Sequence, residues 1–332
     1  MTNRFHFSEN HSPTQHQLAR FMQFAGLKRT RWTRLAQFNE SHLNFAPDVC
    51  ECLEFKHRLA NLVQLYCPIV MPETYRLDSF SWVATLNDLA NAHYMTQRFL
   101  ADKVEDMAWI LKPALLNNGQ HIKIFDRLSQ IESHFLQSNR LGGPHVLQRY
   151  INAPDLMNER KYSLRFFVVV TQEAGAFLYQ HGYLNVALAP YDAQNFNPLS
   201  AHLTNEHLNH HDVSVEQIPT AGLAGYATWY PQIRSIVKSV TSGLESAFPH
   251  AFAISKKRTF AVFGFDFMVD AQQRVWLLEA NHGPCFPMDE NHPLQQSLYR
   301  SFWEAMVHQF VIPITTKKPM NQNGCAGFES VR

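Results

Sequence analysis

Apolar and polar positions change period along this chain, and the changes mark its elements. Residues 14–66 carry apolar positions at helical spacing, continuing through LEFKHRLANLVQLY, and predict a mainly helical N-terminal region over 1–70. Met71-Pro72-Glu73 breaks that pattern, and a helix is expected over 80–99. From Asp106 the pattern turns to strands: AWILK, then HIKIF, a helix near 126–137, and PHVLQRYI, which together outline a unit over 71–151. A third unit, 152–315, opens with the strand KYSLRFFVVVT and continues with AFLYQHGYLNVAL, a polar stretch at 192–220 and a helix near 229–247. It closes with FGFDFMVDAQQRVWLLEAN and a helix near 292–311, and residues 316–332 are expected to be a disordered tail.

The segment 263–281 alternates with period two and reads as two strands joined through Asp270-Ala271-Gln272-Gln273. Pairing 269 with 274 sets Asp266 across from Leu277 and Gly264 across from Glu279. Asp266, Glu279 and Asn281 then share one face, and Phe263, Phe265, Phe267, Trp276, Leu278 and Ala280 form a core face. Gly264 leaves space beside the carboxylates that something other than protein can fill.

Composition adds limits. Hydrophobic residues make up 45% and the net charge is +1, which describes a globular chain without the field of a nucleic-acid or membrane binder. No apolar run is long enough to span a bilayer, and the N-terminal MTNRFHFSENHSP lacks a secretory apolar stretch. Five cysteines at 50, 52, 67, 285 and 325 form no disulfide framework and favour a reducing, cytoplasmic setting. His202, His207, His210 and His211 sit in an Asn-rich polar stretch and read as solvated loop histidines rather than a metal cluster. The basic cluster Lys28, Arg29, Arg31 and Arg34 reads as a solvated helix end or as a surface for an acidic partner.

Two carboxylates and an amide oxygen, without Cys or His on their face, make a hard-oxygen donor set that suits Mg2+ better than Zn2+. Mg2+ is usually completed by water and phosphate, so a nucleotide is the natural further ligand; the competing reading is a polar solvent face of an antiparallel sheet. Lys112 ends a strand before PALLNNG, where it can reach phosphates or serve as an ordinary surface lysine. Alternation in KYSLRFFVVV puts Lys161, Ser163 and Arg165 on one face, and cations at the edge of so apolar a strand need an anionic partner from the protein or from a ligand. Gln148-Arg149-Tyr150-Ile151 can offer backbone groups and an amide to a purine edge, or be a plain strand end.

In order, WILKPALLNNGQHI, HVLQRYI, ERKYSLRFFVVV, APYDAQNF, AHLTN, FGFDFMVD and VWLLEAN resemble the tubulin tyrosine ligase family over 71–312, and KHRLANL and MPETYRL resemble its N-terminal part. The resemblance implies an α+β chain with an ATP-grasp fold, a family-like N-terminal subdomain and ATP between two sheets. It also implies an ATP- and Mg2+-dependent ligase that joins an amino acid to a protein or peptide carboxylate through an acyl phosphate. Small-molecule ligation and non-catalytic nucleotide binding are its rivals. Residue by residue, it places Lys112, Gln148, Arg149, Tyr150, Ile151, Lys161, Thr204 and Asn205 around ATP. Asp266, Glu279 and Asn281 would hold one or two Mg2+ ions, and Lys161 and Arg165 would contact the reacting groups. His202, with Leu203, would line the ribose and acceptor side, and Gln180 and Arg165 would belong to the substrate side. There are departures: Arg149 stands for the usual lysine, and Ser163 for an aspartate. Gln180 and Asn185 stand for arginines, and Gly119-Gln120-His121 replaces the usual GxG. These changes make tubulin a doubtful acceptor.

Overall fold

In the computed structural model, which describes residues 3–8, 12–99, 108–204, 215–253, 258–325 and 327–331, short parallel strands open the chain. These are β1 (Arg4–His6), β2 (Lys28–Arg29) and β3 (Phe38–Asn39), in the order β2-β1-β3. Between β1 and β2 runs α1 (Pro13–Phe24), started by a Ser12/Gln15 capping box with Pro13 in the first turn. Helices α2 (Pro47–Glu54) and α3 (Lys56–Tyr66) follow. The N-terminal region is therefore only partly helical. KRTRWTR supplies an edge strand and the start of a single 3-10 turn at Thr33–Leu35 rather than the end of an α-helix, because its charges leave no apolar helical face to bury.

A four-stranded antiparallel sheet follows, ordered β4-β7-β5-β6 from β4 (Thr74–Leu77), β5 (Trp109–Pro113), β6 (Lys123–Phe125) and β7 (His145–Arg149). Helices α4 (Trp82–Phe99) and α5 (Leu128–Leu136) cover one face around Leu111, Ile131, Phe135 and Leu147. The larger sheet is also antiparallel. It contains β8 (Leu156–Met157), β9 (Arg160–Thr171), β10 (Gly175–Val186), β11 (Glu216–Pro219), β12 (Phe260–Val269), β13 (Val275–His282) and β14 (Phe328–Ser330). Its main order is β11-β10-β9-β12-β13. The long helix α6 (Tyr226–Ala247), with α2 and α3, covers one face; α1, α7 (Arg300–Met306) and α8 (Ile312–Thr316) belong to the other. Alternation along β9 sends Tyr162, Leu164, Phe166 and Val168 into the first core and Phe167 and Val169 into the second, which explains a run apolar on both faces.

Two expectations are corrected. The hairpin pairs Val269 with Val275, because Asp270 closes the turn through its backbone N–H to Arg274 O at 3.0 Å. A bulge at Leu278 then brings Asp266 opposite Glu279 and Gly264 opposite Asn281. Leu277 and Ala280, rather than Leu278, join the phenylalanines in the core, while Trp276 packs under the Arg274 guanidinium at 3.6 Å. The expected disordered tail is also largely ordered. β14 adds to β10, and Met320, Phe328 and Val331 are buried, so their apolar side chains anchor the segment.

Candidate functional site

The hydrogen-bonding strands of both sheets carry polar side chains into one cleft of about 1470 Å³, its open mouth included. From the smaller sheet come Lys112 on β5, Gln148 and Arg149 on β7, and the loop after β5, in which Asn118 and Gly119 take left-handed backbone angles. From the larger sheet come Lys161, Ser163 and Arg165 on β9, Asn185 on β10, Asp266 on β12 and Glu279 and Asn281 on β13. The bulge at Leu278 is what aligns the last three. Asn281 Nδ2 donates to Asp266 Oδ2 at 3.0 Å and to Glu279 Oε1 at 3.3 Å.

Arg165 holds Asp266 with a two-pronged fork, Nε to Oδ1 at 2.7 Å and Nη2 to Oδ2 at 2.5 Å. The protein itself thus supplies one anion for the β9 cations. Arg165 also occupies the space beside Gly264, where a Cβ would meet Arg165 Cδ at 3.2 Å and Pro284 Cβ at 3.3 Å. That space is filled by protein, contrary to the expectation that a ligand fills it. Burial acts to raise the Glu279 carboxyl, but Lys56, Lys112 and Arg165 together draw it down to about 2. Burial pushes Asp266 up while the Arg165 fork opposes it.

Among the described residues, two ammonium groups of the cleft donate only to neutral acceptors. Lys112 donates to Gln148 Oε1 at 2.9 Å, and Gln148 donates on to Thr74 Oγ1 at 2.9 Å. Burial lowers Lys112 to about 8, with Glu279 opposing. Lys161, 2% exposed, donates to Tyr150 OH at 2.8 Å and lies 4.0 Å from the centre of the Tyr150 ring. Burial and then Lys112 hold Lys161 well below the usual lysine range. The Tyr150 hydroxyl lies 2.7 Å from His202 Nδ1, while His202 Nε2 faces Asn195 O at 2.8 Å. The carbonyl requires the proton on Nε2, so Nδ1 accepts from Tyr150 and His202 is a buried neutral link rather than a solvated histidine.

Ile151 and Leu203 also line the cleft, and Thr204 lies 2.7 Å from the Ser163 hydroxyl. Gln180 does not reach the cleft. Beside the irregularity between Leu178 and Gly182 it donates to Glu329 Oε1 at 2.7 Å, on the strand added by the tail. Asn185 does reach the cleft and accepts from Gln217 Nε2 at 2.8 Å. Asn205, His207, His210 and His211 lie outside the described residues. Sequence reasoning missed Lys56, whose ammonium donates to Leu116 O at 2.8 Å and pairs with Glu279 Oε2 at 3.3 Å. Its signal was the unmarked lysine at the start of KHRLANL.

Among the described residues no group of three or more His, Cys, Asp and Glu gathers into a metal cluster. The oxygen set of Asp266, Glu279 and Asn281 fits a hard cation that takes one or two carboxylates and leaves its remaining positions to water and phosphate. With its amide turned over, Asn281 presents Oδ1 where Nδ2 now bridges the carboxylates.

The tubulin-tyrosine ligase family model matches residues 52–320. The chain belongs to that family. Among its relatives are tubulin glycylase 3C of Tetrahymena thermophila, 26% identical over 61% of this chain and 20% of the relative, and the probable tubulin polyglutamylase TTLL2 of Mus musculus, 28% identical over 54% and 35%. The protein polyglycylase TTLL10 of Macaca fascicularis is 25% identical over 64% of this chain and 37% of its own length. This tubulin-tyrosine ligase family chain thus spans between 20% and 37% of the length of these curated relatives.

Proposed function

We propose that this protein is an ATP- and Mg2+-dependent carboxylate–amine ligase that joins an amino acid to a carboxylate of a protein or peptide, with ATP held between the two sheets as in an ATP-grasp fold. The observation that carries this reading is the pair Lys112 and Lys161: both at least nine-tenths buried, both facing the cleft, both bonded to neutral acceptors. Buried cations without a bonded anion are costly. Phosphates entering the cleft opposite Asp266, Glu279 and Asn281 would relieve that cost.

In this reading Lys112 and Lys161 bind phosphate oxygens, and Gln148 and the Tyr150–His202 pair fix where those ammonium groups sit. Arg149, Tyr150 and Ile151 border the base, and Thr204 and Asn205 the ribose side. Arg165 orients Asp266, and Asp266, Glu279 and Asn281 hold Mg2+, which when bound neutralises charge between phosphate and the reacting carboxylate. The acceptor carboxylate takes the γ-phosphoryl group, ADP leaves, and the amine then displaces phosphate to form the amide. The carboxylate-to-amide chemistry draws support from relatives named as glycylases and polyglutamylases. A cytoplasmic setting belongs to the same reading and rests on five free cysteines. The test is sustained, multiple-turnover ADP release by purified protein: it should require Mg2+, an amino acid and a protein acceptor together. ADP release unaffected by omitting the amino acid and the acceptor would remove the reading.

A further inference from the structure

The strands of the larger sheet meet the cleft in rows, and neighbouring rows differ in charge. In one, Tyr183 on β10 stands beside Arg165 on β9, Arg165 beside Asp266 on β12, and Asp266 beside Glu279 on β13. In the next, Gln217 on β11 stands beside Asn185 on β10, and Asn185 beside Ser163 on β9. This second row carries no ion. Gln217 Nε2 donates to Asn185 Oδ1 at 2.8 Å, and the Ser163 hydroxyl lies 2.7 Å from that of Thr204. β10 and β11 contain no lysine or arginine, and their one carboxylate, Glu216, pairs with Arg160.

The cations of the cleft are engaged elsewhere. Lys56 pairs with Glu279, Lys112 bonds to Gln148, Lys161 bonds to Tyr150, and Arg165 commits Nε and Nη2 to Asp266. Arg149 stands at the end of β7 in the smaller sheet. A side-chain carboxylate brought against the second row is therefore desolvated without a cation to meet it, whereas an uncharged side chain finds hydrogen-bonding groups it can satisfy. Burial says which substrate meets this wall. Ser163, Tyr183 and Asn185 are 5%, 3% and 7% exposed, while His282, Gly283 and Cys285, after β13 at the other side of the sheet, are exposed. The enclosed wall suits the smaller substrate, the free amino acid, and the open rim suits a polypeptide.

We propose that Asn185, fixed by Gln217, determines specificity for the donor amino acid and selects one with an uncharged side chain over glutamate or aspartate. The inference rests on the ligase reading above. With Oδ1 taken by Gln217, Nδ2 is the end of the Asn185 amide left for the cleft, where it donates a hydrogen bond and supplies no charge. Gln217 does not itself line the cleft and acts through Asn185, as a positioning residue.

In the experiment the full chain receives Mg-ATP, a dialysed cell extract and an equimolar mixture of isotope-labelled serine, glycine, glutamine, glutamate and aspartate. Peptide mass spectrometry then counts each label joined to protein. Each uncharged donor should exceed glutamate by at least about tenfold. Asn185→Arg should raise glutamate relative to serine about tenfold or more, because the wall then carries a cation. Gln217→Leu frees the amide to turn and should shrink the discrimination about threefold or more, while the rise in melting temperature with Mg-ATP stays as in the wild type. A merely structural Gln217 would lower every label equally and leave the ratios alone. Glutamate incorporated as well as the uncharged donors by the wild type, or ratios unchanged in either variant, would overturn the proposal and leave the ligase reading standing. Label in no protein would remove that reading, and this proposal with it.

Discussion

Replacing Glu279 by Gln keeps the side-chain volume and removes the charge on which Lys56, Lys112 and Arg165 converge. Lys56 and Glu279 are 8% and 21% exposed and lie 3.3 Å apart. Breaking a fully buried ion pair costs about 3–5 kcal/mol, and the partial exposure of Glu279 places this one near about 2–3 kcal/mol. The carboxyl shift from 4.5 to about 2 gives the same scale, about 3 kcal/mol. Because the folded value is depressed, that stabilisation is complete above the unfolded carboxyl range and is lost as pH falls from there through about 2. Glu279→Gln should therefore melt lower at neutral pH and show a shallower loss of stability on acidification. A ligand at one hundred times its Kd adds about 2.7 kcal/mol to the wild type, roughly 4 °C for a chain of this size. Differential scanning fluorimetry with and without Mg-ATP reads both effects, and the nucleotide gain should largely vanish in the variant. A gain equal to that of the wild type would refute the assignment of Glu279 to the metal.

Further outcomes follow from the same cleft. Nucleotide affinity should fall as pH rises through about 8, where Lys112 loses its proton; titration of a fluorescent ATP analogue at several pH values checks this. Lys161→Met should raise stability to urea by removing a buried cation whose bonded partner among the described residues is a neutral hydroxyl, yet weaken nucleotide binding at least about tenfold. Arg165→Lys replaces the two bonds to Asp266 by one, so nucleotide binding should persist while turnover falls about ten- to a thousandfold in steady-state assays. Purified protein should add tyrosine to detyrosinated tubulin poorly, because Asn185 offers the cleft no positive charge; robust incorporation in a radiolabel assay would contradict this.

Much of the site was legible because strand alternation is a strong signal. Lys161, Ser163 and Arg165 face the cleft together while Tyr162, Leu164 and Phe166 enter the core, as the period of KYSLRFFVVV requires. Asp266, Glu279 and Asn281 converge as their alternation predicts, but through a different register. A turn closed one residue later and a bulge at Leu278 compensate each other, and neither has a local signature in AQQRVWLLEAN. Lys56 was not legible because its place in the cleft depends on how α3 packs across the loop after β5. Gln180 and the tail failed together: β14 is a strand only because β10 offers it a partner, and Glu329 then takes the Gln180 amide. Short strands of this kind owe their conformation to tertiary pairing, which periodicity in a single segment does not report.

The central claim is that the cleft drives amide formation on a protein carboxylate. Purified protein incubated with Mg-ATP, isotope-labelled amino acids and a cell extract, followed by peptide mass spectrometry, tests it most directly. The account predicts labelled amino acid joined through an amide to a side-chain or terminal carboxylate, absent without ATP and absent with Glu279→Gln. Label in no protein, while ADP still forms from a small carboxylate and an amine, would contradict it.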